Sequence, residues 1–109
     1  MKYKSVRTTV GGITFDSKSE ARRYSELRLL EREGQISELQ LQPCFILAPS
    51  VRYHDVKRLK PALRYVADFE YIEKGIKIIE DVKGMQTPVF KIKRHLLKVL
   101  HDIDVRITK

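Results

Sequence analysis

Two aspartates and one lysine are spaced so that a pair of neighbouring strands could bring their side chains together. Asp68 lies in a run rich in aromatic and β-branched residues, and Asp81 and Lys83 lie in a second run beyond a turn at Gly75. Side chains alternate between the two faces of a strand, so Asp81 and Lys83 share one face. If the connection is a four-residue loop over residues 73–76, Asp68 lies directly opposite Asp81, with Cβ atoms roughly 4.5–5.5 Å apart.

Such a pair of carboxylates would suit metal chemistry. Two carboxylates at that separation repel one another unless a cation lies beside them. A divalent metal with oxygen ligands meets this need, and Lys83 could orient a water molecule or offset the charge of a phosphate. The plain alternative is a solvated strand face on which acids and a lysine alternate. A three-residue loop would also set Glu80, rather than Asp81, opposite Asp68.

Glu20 is a candidate fourth member because it lies on the buried stripe of a predicted helix. Ser17 followed three residues later by Glu20 forms a capping box, which marks the start of this helix. Tyr24 and Leu27 follow Glu20 at helical spacing, which places all three on the apolar side. Glu20 can therefore act as a cap, as a carboxylate aimed at the sheet, or as both.

The elements that must position these residues follow from the hydrophobic pattern and from the glycines and prolines. Before the candidate site, the pattern predicts a hairpin over residues 6–15, a helix over 16–33, extended chain over 36–51 and an irregular loop over 52–64. The later elements are strands over 65–72 and 76–83, a helix over about 87–102 and a last strand over 104–108. This order predicts a single α/β domain over residues 1–109, with a central mixed β-sheet flanked by two helices.

The second predicted helix has an apolar stripe and a basic face. The stripe expected to face the core consists of Val89, Ile92, Leu96, Val99 and Leu100. Lys93 falls within the arc of that stripe, where it either extends its ammonium group to solvent or reaches the carboxylates or a phosphate. The opposite face is either a solvated basic surface or a track for a DNA backbone, and it carries Lys91, Arg94, His95 and Lys98.

The overall charge favours a polyanionic partner. The chain has 22 Lys and Arg against 14 Asp and Glu, which gives a formal net charge of +8. A basic surface raises the local concentration of polyanions, of which nucleic acid is the commonest. The loop over residues 52–64 contributes Lys57, Arg58 and Lys60 to the candidate DNA-binding surface.

Several kinds of site are excluded or disfavoured. The single cysteine, Cys44, rules out an internal disulfide and a cysteine-rich zinc site, and a buried position is expected for it. The three histidines lack ligand-type spacing. No apolar run is long enough to span a membrane and no signal-type stretch opens the chain, so a cytoplasmic location is expected.

At this point the residues resemble a known superfamily. Asp68, twelve intervening residues and then Asp81-Val82-Lys83 are similar to the PD-(D/E)XK nuclease signature, and the predicted αβββαβ order resembles its restriction-endonuclease-like core. More narrowly, the stretches FDSKSEARRY, LQP, YVADF and EDVKG resemble a group of small proteins encoded by bacteriophages and prophages. The similarity runs from about Gly12 to Arg106. The proline of the superfamily name is absent, since Ala67 precedes Asp68.

The resemblance implies hydrolysis of DNA phosphodiester bonds with Mg²⁺ or Mn²⁺. Asp68, Asp81 and the backbone carbonyl of Val82 would hold the metal, Glu20 would bind it directly or through water, and Lys83 would position the attacking water. The implied substrates are branched DNA such as Holliday junctions, or duplex DNA that is nicked during phage recombination, replication or packaging in the bacterial cytosol. Gln42 lies in one of the similar stretches and has no assigned role.

Two other functions remain open at this point, and a homodimer is expected. The first alternative is a non-catalytic DNA-binding module that uses the loop over 52–64 and the second helix. The second is a phage protein-interaction factor, such as an inhibitor of a host enzyme. A nuclease of 109 residues that cuts both strands symmetrically would need two active sites, which favours a dimer with DNA as its partner.

Overall fold

The chain enters the fold through a hairpin whose turn depends on glycine. The computed structural model describes residues 6–109. Strand β1 (Thr8–Val10) pairs with β2 (Ile13–Phe15) in antiparallel register. Gly11 and Gly12 both have positive φ, at 58° and 81°, which a two-residue type I′ turn requires. The predicted hairpin is confirmed.

Helix α1 (Lys18–Arg32) begins and ends as its sequence predicts. The Ser17 hydroxyl oxygen accepts a hydrogen bond from the Glu20 backbone N–H at 3.1 Å, and Gly34 follows the helix with φ at 78°. The side chains of Ala21 and Leu27 are buried. The helix therefore presents the predicted stripe to the sheet, with Glu20 at its first turn.

The central sheet is mixed, as predicted, and has four strands in the order β3-β6-β7-β8. These strands are β3 (Ile36–Leu41), β6 (Phe69–Glu73), β7 (Ile76–Val82) and β8 (Arg106–Thr108). The first three are antiparallel neighbours, and β8 runs parallel to β7. The parallel pair is possible because helix α2 (Pro88–His101) carries the chain from the end of β7 back to the start of β8.

The single strand predicted over residues 65–72 is wrong, because the chain changes sheets in its middle. Within residues 6–109, strand β4 (Cys44–Ala48) pairs with β5 (Leu63–Val66) alone, in a separate two-stranded sheet. Between the two sheets, the Gln42 N–H donates to the Asp68 carbonyl and the Ala67 N–H donates to the Pro43 carbonyl, both at 3.0 Å. Pro43 has no N–H to donate, and Gln42 has a left-handed backbone with φ at 53°. The paired strands therefore bend together at this point.

The two helices cover different clusters of core residues. Helix α1 packs against one face of the central sheet, in a cluster of Phe15, Ala21, Leu27, Ile36, Phe69, Tyr71 and Val82. Helix α2 packs over the β4–β5 sheet and the other face of β7, in a cluster of Leu47, Tyr65, Ala67, Ile79, Phe90, Leu97 and Val105. The α/β class, the mixed sheet, the two helices and the N-terminal hairpin are thus all present. Within residues 6–109, no helix is both long and apolar enough to cross a membrane.

The apolar stripe predicted to bury α2 is the wrong face of that helix. Phe90 and Leu97, seven residues apart, are the buried positions. Four residues of the predicted stripe are 53–67% exposed, namely Val89, Ile92, Val99 and Leu100. Apolar residues occupy about half of the helix circumference, so the pattern offered two adjacent faces. The face that carries the large Phe90 ring is the one that packs.

Cys44 is exposed, which contradicts the buried position expected for it. It stands opposite Val66 in the β4–β5 sheet, and Val66 is exposed as well. Only the other side of this two-stranded sheet is covered, through Leu47 and Tyr65. Alternation along β4 therefore places Cys44 on the uncovered side.

Candidate active site

The β6–β7 register places Asp68 opposite Asp81. The pairing runs from Glu73 opposite Ile76 to Phe69 opposite Glu80, so the next pair along the two chains is Asp68 and Asp81. The alternative in which Glu80 faces Asp68 is excluded. The Asp68 backbone N–H donates to the Glu80 carbonyl at 3.1 Å and to Asp81 Oδ1 at 3.0 Å. In return, the Val82 N–H donates to Asp68 Oδ2 at 2.8 Å.

A fork between two strands gives Asp81 its buried position. On the N-terminal side of Asp68, the chain belongs to β5, which is not paired with β7. The Asp81 side chain lies between β5 and β7 and is 1% exposed. The Tyr65 hydroxyl, on β5, donates a hydrogen bond to Asp81 Oδ2. Both oxygens of this carboxylate are therefore fixed by neighbours on the diverging strand.

Burial disfavours the ionised forms of the two carboxylates at the fork. Burial and the charges of Asp81 and Glu20 together raise the pKa of Asp68 to about 7, against the opposing effects of the Val82 N–H and Lys83. Burial also raises the pKa of Asp81, although the Tyr65 hydrogen bond and Lys83 oppose the shift. A cation bound beside both groups would remove this penalty.

Glu20 and Asp68 line a shared cavity. The cavity has a volume of about 150 Å³, and its lining includes Glu20, Asp68 and Gln42. Burial raises the pKa of Glu20, and the charges of Asp16 and Asp81 add to the shift. The charge of Glu20 therefore acts on Asp68 and Asp81. Glu20 does so from α1, which packs on the face of the sheet opposite to α2.

Lys83 is held by an aromatic ring and not by a carboxylate. Its Nζ lies 5.0 Å from the centroid of the Phe90 ring, a cation–π contact. Its backbone N–H donates to the Thr108 carbonyl at 2.8 Å. Its charge opposes the upward shifts that burial gives the pKa values of Glu20, Asp68 and Asp81. Phe90, on the buried face of α2, was not among the predicted site residues.

The donor atoms suit a small, hard cation, although the acids are not drawn together as a preformed cage. Within residues 6–109, no three His, Cys, Asp or Glu side chains converge closely enough to hold one metal ion. Asp68 and Asp81 are nevertheless neighbouring oxygen donors, and burial raises the pKa of both, so a bound cation would favour their ionised forms. Oxygen ligands of this kind are those that Mg²⁺ and Mn²⁺ prefer. The residues therefore fit such an ion.

A second buried carboxylate, Glu80, sits next to Asp81 in sequence and serves a different purpose. It is 0% exposed and accepts hydrogen bonds from Arg23 Nε at 2.7 Å and Arg23 Nη2 at 3.0 Å. The hydroxyls of Tyr71 and Thr108 also donate to it. Burial raises the pKa of Glu80, but the Arg23 and Tyr71 bonds outweigh burial and the net shift is downward. This ion pair ties α1 to β7.

Sequence patterns could not identify the Arg23–Glu80 pair, because the two residues are 57 positions apart. Arg23 looks like any other basic residue on a surface helix. Glu80 alternates with Asp81 in a strand that is buried on both faces, and only the register tells the two acids apart.

Gln42 lies at the site, although no role is predicted for it from the sequence. Its non-glycine backbone has φ at 53°, a conformation that costs about 1 kcal/mol or more. Its side chain is exposed at the cavity that Glu20 and Asp68 line. The bend in the strand thus places the side-chain amide of Gln42 at the cavity that Glu20 and Asp68 line.

The predicted DNA-binding residues fall into separate groups. Lys91, Arg94 and Lys98 line one cavity of about 400 Å³ along α2, together with His95. Burial and the Asp81 hydrogen bond raise the pKa of Tyr65, and the charge of Arg94 opposes this shift, so this group begins near the carboxylates. Lys93 is half-buried and lies outside that cavity lining. A third group in the loop between β4 and β5 is exposed and consists of Lys57, Arg58 and Lys60.

Comparison with known proteins places the chain in a family. A family model described as "Protein of unknown function (DUF1064)" matches residues 1–108, so the chain belongs to that family. No curated protein and no solved structure matches the chain significantly.

Proposed function

We propose that this member of the DUF1064 family is a metal-dependent DNA endonuclease with a restriction-endonuclease-like core. One observation carries the proposal: Asp68 and Asp81 are opposed at a strand fork, and Lys83 stands two residues further along the same strand. Buried acids with elevated pKa values beside a lysine are expensive to maintain in a purely structural role. The site resemblance noted from the sequence agrees with this chemistry.

Asp68, Asp81 and the Val82 carbonyl would hold Mg²⁺ or Mn²⁺, with Glu20 contributing directly or through water. A divalent cation supplies Lewis-acid polarisation of a phosphate oxygen and lowers the pKa of a bound water. Asp68 and Asp81 fix the position of that charge, because each is tied to the backbone of the opposite strand. Glu20 adds negative charge from the cavity wall.

Lys83 would act on the substrate side of the cluster. Its ammonium group rests on the Phe90 ring and forms no ion pair with a carboxylate among residues 6–109, so its hydrogen-bond donors are available. It can orient the attacking water or offset charge that develops on the phosphate, in line with the role implied by the resemblance.

DNA would reach the site along α2. The basic cavity lined by Lys91, Arg94 and Lys98 approaches the carboxylates at Arg94. The chain carries a formal net charge of +8, which speeds encounter with a polyanion. Gln42, at the edge of the acidic cavity, can donate to a phosphate oxygen or a water without adding charge.

The substrate is branched DNA of the Holliday-junction type or duplex DNA that is nicked, and the setting is phage recombination, replication or packaging in a bacterial cytosol. Both strands of such a substrate are cut most simply by a homodimer. The apolar residues exposed on α2 supply a candidate contact, and they are Val89, Ile92, Val99 and Leu100.

A non-catalytic DNA-binding module is the second candidate. It is favoured by the dispersed acids, since no three potential ligands converge within the described part of the chain. The basic cavity on α2 would serve such a module equally well. A protein-interaction role, such as inhibition of a host enzyme, has no feature of the site in its favour.

The test is cleavage of labelled supercoiled plasmid, linear duplex and a four-way junction, with Mg²⁺, Mn²⁺ or EDTA. The nuclease proposal predicts cleavage of at least one of these DNAs in either metal and none in EDTA. Binding of all three without cleavage would favour the binding module. Neither binding nor cleavage would favour the protein-interaction role.

A further inference from the structure

The hydroxyl of Tyr65 is buried against the carboxylate of Asp81. Tyr65 is 3% exposed and Asp81 is 1% exposed. Its hydroxyl donates to Asp81 Oδ2, while Oδ1 of the same group accepts from the Asp68 N–H. Two donors on opposite oxygens fix the plane of this carboxylate. Each oxygen retains a further lone pair with which it can meet a cation.

Tyr65 also connects Asp81 to the lysine of the site. The Tyr65 and Phe90 rings lie 6.1 Å apart at 50°, and Phe90 carries Lys83 Nζ on its face at 5.0 Å. Tyr65 comes from β5, which does not belong to the central sheet. The β4–β5 sheet therefore contributes the Tyr65 side chain to the site.

We propose that Tyr65 is a positioning residue that orients Asp81 for a divalent cation. The inference rests on the proposed nuclease function and adds to it a residue that acts through Asp81. A hydrogen bond to one oxygen of the carboxylate fixes its orientation in its buried position. Removing this donor leaves the ligand in place but frees its rotation.

The chain provides a matched control on the opposite face of the same strand. The Tyr71 hydroxyl donates to Glu80, the residue before Asp81, and Tyr71 is 1% exposed. Tyr71 additionally accepts from Arg106 at 3.2 Å. Tyr65→Phe and Tyr71→Phe therefore each delete one buried bond from a tyrosine to a carboxylate. Only the first of these bonds ends on a proposed metal ligand.

The experiment measures Mn²⁺ affinity by calorimetry for wild type, Tyr65→Phe and Tyr71→Phe, each without DNA. Circular dichroism records the melting temperature of each protein in EDTA. Outer partners of metal ligands typically contribute about 10–100-fold to metal affinity. We expect Tyr65→Phe to bind Mn²⁺ at least about 10-fold more weakly than wild type. Tyr71→Phe should bind within about twofold of wild type, because the Tyr71 hydroxyl contacts Glu80 and Arg106, and neither is a proposed metal ligand. Both variants should melt below wild type.

A second readout separates orientation from fold. In DNA cleavage, Tyr65→Phe should need a higher Mn²⁺ concentration for half-maximal rate, and saturating Mn²⁺ should restore most of the rate. Wild-type Mn²⁺ affinity in Tyr65→Phe would overturn the inference and leave the nuclease proposal standing. Equal weakening in both variants would also overturn it, since the effect would then be general. A wild-type protein that binds no Mn²⁺ would overturn the nuclease proposal and this inference together.

Discussion

Asp68 and Asp81 each bind the backbone of the other's strand: Asp81 Oδ1 accepts from the Asp68 N–H at 3.0 Å, and Asp68 Oδ2 accepts from the Val82 N–H at 2.8 Å. The two carboxylates therefore hold the two chain segments together at the fork, and they also form part of the acidic cluster. Replacement by alanine would leave buried N–H groups without partners and would confuse folding with function. Asparagine keeps an acceptor at each position, so it is the informative substitution.

The first prediction concerns pH and the metal-free protein. The pKa of Asp68 is about 7 in the folded protein against an ordinary value of 3.8. The folded state therefore holds this proton between about pH 4 and 7 while the unfolded state has released it. The proton on Asp68 therefore raises the free energy of unfolding at low pH, and this contribution is lost as the pH rises through that window. Asp68→Asn should have a higher melting temperature than wild type at pH 8, and its melting temperature should change less with pH.

The measurement is the melting temperature in EDTA between pH 5 and 8.5. Asp55→Asn, in the exposed loop between β4 and β5, serves as a control for the loss of one acid and should follow wild type. An Asp68→Asn protein whose melting temperature changes with pH as steeply as wild type would contradict the pKa shift.

The second prediction concerns the ion pair that anchors α1. Arg23→Ala leaves the fully buried Glu80 carboxylate without its cation, which should lower the free energy of unfolding by about 3 kcal/mol. Arg28→Ala removes an ion pair to Glu31 in which the Arg28 side chain is 51% exposed, and it should cost less than about 1 kcal/mol. Urea denaturation at pH 7 measures both. Equal losses in the two variants would show that Arg23 contributes no more than a surface pair.

The third prediction assigns the DNA path to α2. The triple variant Lys91→Ala, Arg94→Ala and Lys98→Ala should flatten the dependence of log K on log salt by up to about 2.7, since each phosphate contact contributes about 0.9. Binding is measured in EDTA, so that cleavage does not interfere. The matched triple alanine variant replaces Lys57, Arg58 and Lys60 in the exposed loop. A slope that changes only in the loop variant would place the DNA on the other surface.

The fourth prediction concerns the exposed stripe of α2. If the protein is a homodimer through this face, the double variant Ile92→Glu and Val99→Glu should be monomeric, because it would bury charge at the contact. Light scattering with and without DNA gives the mass. Ile76→Glu, at a residue that is 64% exposed in the β6–β7 hairpin, should leave the mass unchanged. A monomeric wild type under both conditions would contradict the proposed dimer.

Local signals in the sequence predicted most of the elements. Gly11-Gly12, Ser17 with Gly34, and Thr87 before Pro88 each act within a few residues, and the structure places a turn or helix end at every one of them. The sequence left two loop lengths open for the β6–β7 hairpin, and the four-residue loop is the one that places Asp68 opposite Asp81. These features depend on backbone conformation and nearby hydrogen bonds, which a sequence displays directly.

Features that depend on distant contacts were missed. The bend at Ala67-Asp68 needs Gln42 and Pro43 on a partner strand, and alternation within residues 65–72 contains no trace of it. Which of the two apolar faces of α2 is buried depends on the residues that the helix packs against, and the face with Phe90 is the one that contacts the strands. Tyr65 reaches Asp81 only because of that bend. The acids themselves were predicted, but their supporting side chains were not.

Lys83→Ala beside Lys77→Ala is the most direct test of the proposed active centre. Both lysines lie on β7 or directly after it and both variants lose one positive charge, but Lys77 is paired with Glu70 at 3.8 Å, away from the fork. With Mg²⁺ and a DNA that wild type cuts, Lys77→Ala should cut at close to the wild-type rate. Lys83→Ala should bind that DNA normally and cut it at least about 100-fold more slowly. A Lys83→Ala protein that cuts as fast as Lys77→Ala would contradict the proposed site.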